Sequence, residues 1–447
     1  MKKNLIYAVI LLLGFTACRK TEVEEAFYAS SEKRMQDTLE FIRKQLTSAP
    51  HGWKGGLTTG LKGGFGFYFN FDADQNVDML SDYSTASGND VKKSTYRVSA
   101  TNTAALLFDT YNYISLLQDP VPGVAGGTSG QGYRSDVEFI YTGHRGDSLF
   151  FKGKKYEHPF TLVKTSQIEK DAYLSGGINL YQTNFANVFN NNYSYAYYND
   201  GSNENLAVEI DWTGKRVRFI TVNSTGEATA IFASPFYYTA SELSLVRKYY
   251  ASYKGKAIKA LKYEDNGILL MFTDGTTGKL ASQTTPVYKF DLAFDYNKPF
   301  SRIVDGDAIP GVTATVHIFD QVKSLFTTSG RTITSQYFQI RNNTTAVFYI
   351  AYYSGTPPDH SSFTASATYE ITKRTGDRIW LKRTAIDANF NTRATQVAPV
   401  NNFFGTGSER EFVLAWATSS NASVKFPIGA IKLATNLNNM LYGRLGE

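Results

Sequence analysis

Four carboxylates crowd one short region of the chain. Asp109 and Asp119 sit in "LLFDTYNYISLLQDP" (106–120), and Asp136 and Glu138 in "GYRSDVEF" (132–139). Two carboxyl groups held about 5–10 Å apart across an open cleft are the machinery of glycoside hydrolysis. Three converging on one point would hold a metal ion. Between them runs "PGVAGGTSGQG" (122–132), a loop flexible by composition that lacks the Gly-Lys-Ser/Thr ending of a phosphate-binding loop. Each acid also has a local structural role. Asp109 is placed to cap a short helix in which Tyr113, Leu116 and Leu117 share a face. Asp119 precedes Pro120 and ends that helix. Asp136 and Glu138 fall on the polar side of a strand whose Val137, Phe139 and Tyr141 point inward. No residue is therefore assigned as catalytic; a hydrolase acting on glycan or peptide through these four acids is the rival reading.

The other reactive types are sparse. The five histidines (His51, His144, His158, His317 and His360) show no zinc-protease spacing, and no G-x-S-x-G elbow is present. Asp72, Asp74, Asn76 and Asp78 have the rhythm of a calcium loop, but Val77 and Tyr83 stand where Gly and Glu are needed, so a hairpin turn is expected and no metal or cofactor. Arg145-Gly146-Asp147 is matched by Thr375-Gly376-Asp377, which marks both as turns rather than an adhesion signal. The best binding candidate is "NNNYSYAYYNDGSN" (190–203): if extended, it places Tyr193, Tyr195 and Tyr197 on one face flanked by asparagines. Aromatic faces beside amides suit a sugar, whose C–H faces stack while its hydroxyls hydrogen-bond.

Strands must position these groups. The chain of 447 residues has 19% charged residues but 30 Tyr and 31 Phe, a composition that favours pleated surfaces. "GFGFYFNFDADQNVDML" alternates Phe65, Phe67, Phe69 and Phe71 on one face. Further hairpins follow in "STYRVSATNTAALLF", "DVEFIYTGHRGDSLFFKG", "LAVEIDWTGKRVRFITV" and "KALKYEDNGILLMFTDG", with turns at Thr213-Gly214 and Asn266-Gly267 in the last two. An amphipathic helix is expected over roughly Ala26 to Leu46, with Met35, Leu39, Ile42 and Leu46 packing on the first sheet; a membrane-surface helix is the alternative. The stretch from Phe294 to Val312 reads as a linker, followed by a short helix over Asp320 to Phe326 and more hairpins. The fold class is mainly β: antiparallel sheets, as sandwich or open-barrel meanders, in two units with few helices.

The amino terminus carries an address. Lys2 and Lys3 precede an apolar run from Leu5 to Phe15, which at about 1.5 Å per residue spans about 16 Å, too short for a bilayer core of about 30 Å. It reads as a signal peptide over 1–17. Phe15-Thr16-Ala17-Cys18 resembles a bacterial lipobox, which implies that Cys18, the only cysteine, becomes a lipidated first residue carrying thioether lipid and palmitate-type acylation. The expected organisation is then a tether and amphipathic helix over 18–50, a larger β-rich domain over 51–296 and a smaller one over 297–447. "ATYEITKRTGDRIWLKRT" echoes "DVEFIYTGHRGDSLFFKG", and "REFVLAWATSSNASVKFPIGAI" echoes "NLAVEIDWTGKRVRFITV", which raises a diverged repeat as a hypothesis. The formal net charge of +6, part of it on Lys2 and Lys3, is too mild for a nucleic-acid partner.

Taken together, "SAPHGW", "GGFGFYFNF", "FDTYNYISLLQDP" and "GYRSDVEF" resemble a Bacteroidota lipoprotein family catalogued as domain-of-unknown-function family 4302, most strongly over Phe41 to Lys155. The family has no established activity, so no functional residue carries over. The resemblance implies an outer-membrane lipoprotein anchored by Cys18, facing either the cell surface or the periplasm. It also implies a non-enzymatic ligand-binding or assembly accessory of a Sus-type nutrient importer, with transporter components and a glycan or peptide as partners. A purely structural surface protein is the remaining alternative.

Overall fold

The computed structural model describes residues 30–446 apart from positions 101, 194, 266, 306–308, 315, 357, 358, 422 and 425. The signal segment, Cys18 and the tether up to residue 29 lie outside the described residues, as does Asn266 of one expected turn. Helix α1 (Ser31–Thr47) starts where the Ser30 side chain accepts from the Lys33 amide. It buries Leu39, Ile42 and Leu46 in the core of the first sheet, with Met35 packed at the edge. The Arg43 guanidinium donates to Val98 O at 2.7 Å and the Trp53 indole to Leu46 O at 2.9 Å, so the helix is docked on protein.

The first sheet is a closed barrel of β1 (Trp53–Thr58), β2 (Gly64–Phe71), β3 (Asn76–Ser81), β4 (Lys92–Ala100), β5 (Ala104–Phe108), β6 (Glu138–Arg145), β7 (Ser148–Gly153) and β8 (Pro159–Lys164), with β8 pairing back to β1. The expected meander is present, closed rather than open. Eight strands leave an interior that side chains can fill, and phenylalanine fills it. Phe67, Phe69 and Phe71 stack along β2, Phe108 and Phe139 meet edge-on at 6.1 Å, and Phe139 lies 4.6 Å from Phe160. At about 1.5–3 kcal/mol per buried Phe, this aromatic core is a principal source of the barrel's stability.

The Phe alternation leaves Gly64 and Gly66 on the outer face of β2. A Cβ on Gly66 would lie 2.0 Å from Tyr238 O, and one on Gly63 would lie 1.9 Å from Lys215 O. Glycine is what lets a second sheet approach this closely. That open sheet of ten strands includes β9 (Ala196–Tyr198), β10 (Asn205–Asp211), β11 (Arg216–Val222) and β12 (Ala228–Tyr238), and runs on to Ala281–Ser282. At the junction Asp82, fully enclosed, accepts from Lys215 Nζ at 2.6 Å, Tyr238 N at 2.7 Å and Gly66 N at 2.9 Å. Lys215 reaches it from a left-handed backbone, φ 50°, in the β10–β11 turn. There the positive φ falls on Lys215, one residue after the expected Thr213-Gly214 pair. In the first hairpin it falls on Gln75, while Asn76 begins β3.

Helix α2 (Gly177–Asn192) covers one face of the open sheet with Ile178, Tyr181, Phe185 and Phe189. Strand reading from Asn190 onward missed it, although 178, 181, 185 and 189 are spaced three, four and four. A separate short helix before it, Gln167–Leu174, opens with the capping box Ser166-Gln-Ile-Glu169.

The carboxy-terminal sheet has nine strands. Arg302–Val304 pairs with both Arg331–Asn342 and Asn436–Gly446, so eight of the nine close into a second antiparallel ring. That closing strand lies inside the expected linker. The segment carries Pro299, Pro310 and scattered charges with no strand-like alternation, and the strand is stabilised by partners 30 or more residues away. Helix α3 (Ile318–Thr328) buries Ile318, Phe319, Val322 and Phe326 against this sheet. Both rings carry a helical insertion between their fifth and sixth strands: Ser115–Gln118 with Pro122–Ala125 in the first, Ala388–Thr392 with Ala398–Phe404 in the second. Of the hairpins whose sequences echo one another, β6–β7 of the first ring corresponds to the fourth and fifth strands of the second, and β10–β11 of the open sheet to the sixth and seventh.

Candidate functional site

The four acids of the first barrel are each engaged locally. Asp109 pairs with Arg97 Nε at 2.7 Å and caps no helix. The turn leading into the 3-10 helix Ser115–Gln118 is held by Asn112, whose Oδ1 accepts from Ile114 N at 2.9 Å and Ser115 N at 3.0 Å. Asn112 is buried and bonded to Ser94 at 2.9 Å, whereas Asp109 is engaged by Arg97. Asp119 accepts from Val121 N at 2.9 Å and from the Tyr111 hydroxyl at 3.2 Å. Asp136, buried, accepts the amides of Lys155 and Tyr156 at 2.8 and 3.1 Å. Glu138 binds Lys154 at 2.7 Å. Among the described residues no three His, Cys, Asp or Glu side chains gather as a metal site. Asp72 accepts from the Asp74 and Asn76 amides, as a turn residue does. The glycine loop is bridged by Thr128 and Gly132 and contains the Pro122–Ala125 turn of helix.

The tyrosine stretch behaves differently. Helix α2 runs through Asn192, so the three rings do not share one strand. Tyr193 forms the helix C-cap, and its hydroxyl accepts from Ile268 N at 3.1 Å. Tyr197 lies within β9 opposite Ala207. Tyr193 and Tyr195, but not Tyr197, line a cavity of about 280 Å³ between the open sheet and the carboxy-terminal ring.

The construction of that cavity follows from the sheet. On its β10 side, β9 pairs with Leu206, Ala207 and Val208 alone. Beyond Val208, among the described residues, no strand pairs with β10 on the β9 side, and there the cavity meets Glu209, Ile210 and Trp212. Glu209 stands opposite Arg218 on β11, bonded at 3.0 Å. Its other oxygen accepts the Tyr288 hydroxyl. Trp416 closes the far side: its indole N–H donates to Tyr288 O at 2.8 Å, and its ring packs at 4.7 Å on Phe290 and 6.3 Å from Tyr195. Burial raises the Tyr195 hydroxyl above its ordinary range. Burial and then the Glu209 charge do the same to Tyr288. Both phenols therefore stay protonated donors.

The result is a ring-sized slot with aromatic walls and one carboxylate, at a junction of units where ligand sites commonly lie. Sequence reasoning missed Trp212, Trp416, Tyr288 and Glu209. Trp212 shares the parity of Leu206, Val208 and Ile210, a pattern that predicts a packed face and gives no hint of a partner 200 residues away.

Among the described residues no helix is long and apolar enough to cross a membrane. No curated protein matches the chain. The family described as Domain of unknown function (DUF4302) matches residues 23–265, a span covering the first barrel and most of the open sheet.

Proposed function

We propose a binding role for this chain, which belongs to the DUF4302 family: an exported lipoprotein, anchored to the outer membrane through Cys18, that holds a saccharide-sized ring without transforming it. The observation that carries the reading is the slot walled by Tyr195, Trp212, Tyr288 and Trp416 with Glu209 at its side. Stacked rings supply apolar contact, and Glu209 has acceptor capacity left for ligand hydroxyls. In this role the protein serves as a non-enzymatic accessory of a Sus-type nutrient importer.

Titration calorimetry of the detergent-solubilised protein with neutral mono- and disaccharides tests the binding role. Trp416→Ala should weaken the best ligand about tenfold, the equivalent of about 1.4 kcal/mol. Absence of saturable binding by any neutral saccharide, or binding indifferent to Trp416→Ala and Glu209→Gln, overturns it. Labelled palmitate should enter the native protein and not Cys18→Ser. A pull-down of the lipidated protein from its own membrane that recovers no transporter component would sink the accessory role.

A further inference from the structure

A second cavity, about 300 Å³, lies where the open sheet meets the first barrel. Its barrel wall is the outward face of β7 and β8: Phe150 and Thr161 point to it, while their neighbours Leu149, Phe151, Phe160 and Leu162 are buried in the barrel core. The opposite wall is Tyr237 of β12, Tyr250, Arg247 and Lys259. Gly56 makes the approach of these walls possible, since a Cβ there would lie 2.2 Å from the Tyr237 ring.

The charge of this cavity is one-sided. Arg145, Arg247 and Lys259 line it, and among the described residues none of the three forms an ion pair with a carboxylate. No described Asp or Glu lines it. Glu242, whose charge reaches Tyr237 and Tyr250, is outside the lining and already accepts the Ser244 hydroxyl. Arg247 is held in place by the face of Phe150, with its guanidinium carbon 4.7 Å from the ring centroid. Three cations without carboxylate partners, beside tyrosine and threonine hydroxyls, form an environment that oxyanions satisfy with charge-assisted hydrogen bonds. Phe150, Val163 and Leu245 add an apolar floor.

We infer that this basic cavity binds a small organic anion, a phosphate, sulfate or carboxylate group on a body about the size of one sugar ring. The site is separate from the aromatic slot and does not depend on it.

The test is titration calorimetry of the full-length, detergent-solubilised protein with glucose 6-phosphate, glucose 6-sulfate, glucuronate and neutral glucose. At least one anionic probe should bind saturably and at least about tenfold more tightly than glucose, and which one does so identifies the anion class. Arg247→Gln and Lys259→Gln should each weaken that probe about fivefold or more without lowering the melting temperature, whereas Trp416→Ala should leave it unchanged. The inference is overturned if no anionic probe outbinds glucose, or if the anion affinity survives both substitutions. Loss of anion binding in Trp416→Ala alone would also overturn it, while leaving the aromatic slot standing.

Discussion

Replacing Lys215 with Met removes the cation from the ion pair that joins the first barrel to the open sheet. The Asp82 side chain is 0% exposed and that of Lys215 9%. Burial pushes the Lys215 ammonium below its ordinary pKa range, and Asp82 opposes that push. The ammonium also faces Phe65 at 4.7 Å. Stripping one partner from a buried pair costs about 3–5 kcal/mol. Lys215→Met should fall near the lower end, about 3 kcal/mol, because Asp82 keeps its bonds from Gly66 N and Tyr238 N. Asp82→Ala should cost about 5 kcal/mol or more, since it strands an ammonium together with two buried amides. The double variant leaves only those amides unsatisfied, at about 1–3 kcal/mol each. It should therefore lie about 2 kcal/mol or more below the sum of the single losses. Urea unfolding followed by tryptophan fluorescence measures the cycle, with Trp212 in the same turn as Lys215. Hydrogen exchange at the Tyr238 amide reads the junction itself. A coupling below about 0.5 kcal/mol would refute the reasoning, because the two groups would then act independently.

Further outcomes follow from the same contacts. Gly66→Ala should loosen the junction and speed exchange of neighbouring β12 amides, while Gly123→Ala, whose Cβ meets nothing within 4 Å, should leave the melting temperature unchanged or slightly raised. Asn112→Ala removes a buried acceptor of two backbone amides and should cost about 1–2 kcal/mol in urea titrations. Asp109→Ala should cost less than about 1 kcal/mol, because its partner Arg97 is largely exposed. Burial lowers the His158 pKa below 6.5, aided by Lys248 and opposed by Asp136. The unfolded chain then binds the proton first, so stability is full above pH about 6.5 and falls as pH drops through the folded-state value. Melting curves between pH 5 and 8 should show that decline, and His158→Gln should flatten it.

How far local pattern reaches is visible in particular elements. The Phe65–Phe71 alternation, the Met35–Leu46 stripe and the Gly-Asp turns at 146 and 376 are short-range physics, decided by residues within a turn or strand of one another. They determine the mainly β, antiparallel class and the docking face of α1. The signal and lipobox pattern before Cys18 is likewise local. Helix α2 was equally legible in its three-four-four apolar spacing, but the asparagines and tyrosines after it invited a strand. Closure of the barrels was not legible, because it depends on β1 meeting β8 and Arg302–Val304 meeting Asn436–Gly446, pairings that no local period encodes. The same holds for both cavities. The acids near Asp109 cluster in sequence and are absorbed one by one by their neighbours. The aromatic slot gathers Tyr195, Glu209, Tyr288 and Trp416 from segments spread over more than 200 residues. Sequence alone determined which surfaces are apolar and where the chain turns. Only the tertiary structure decided which surfaces meet, because glycines such as Gly56, Gly63 and Gly66 reveal their role only when a second sheet lies against them.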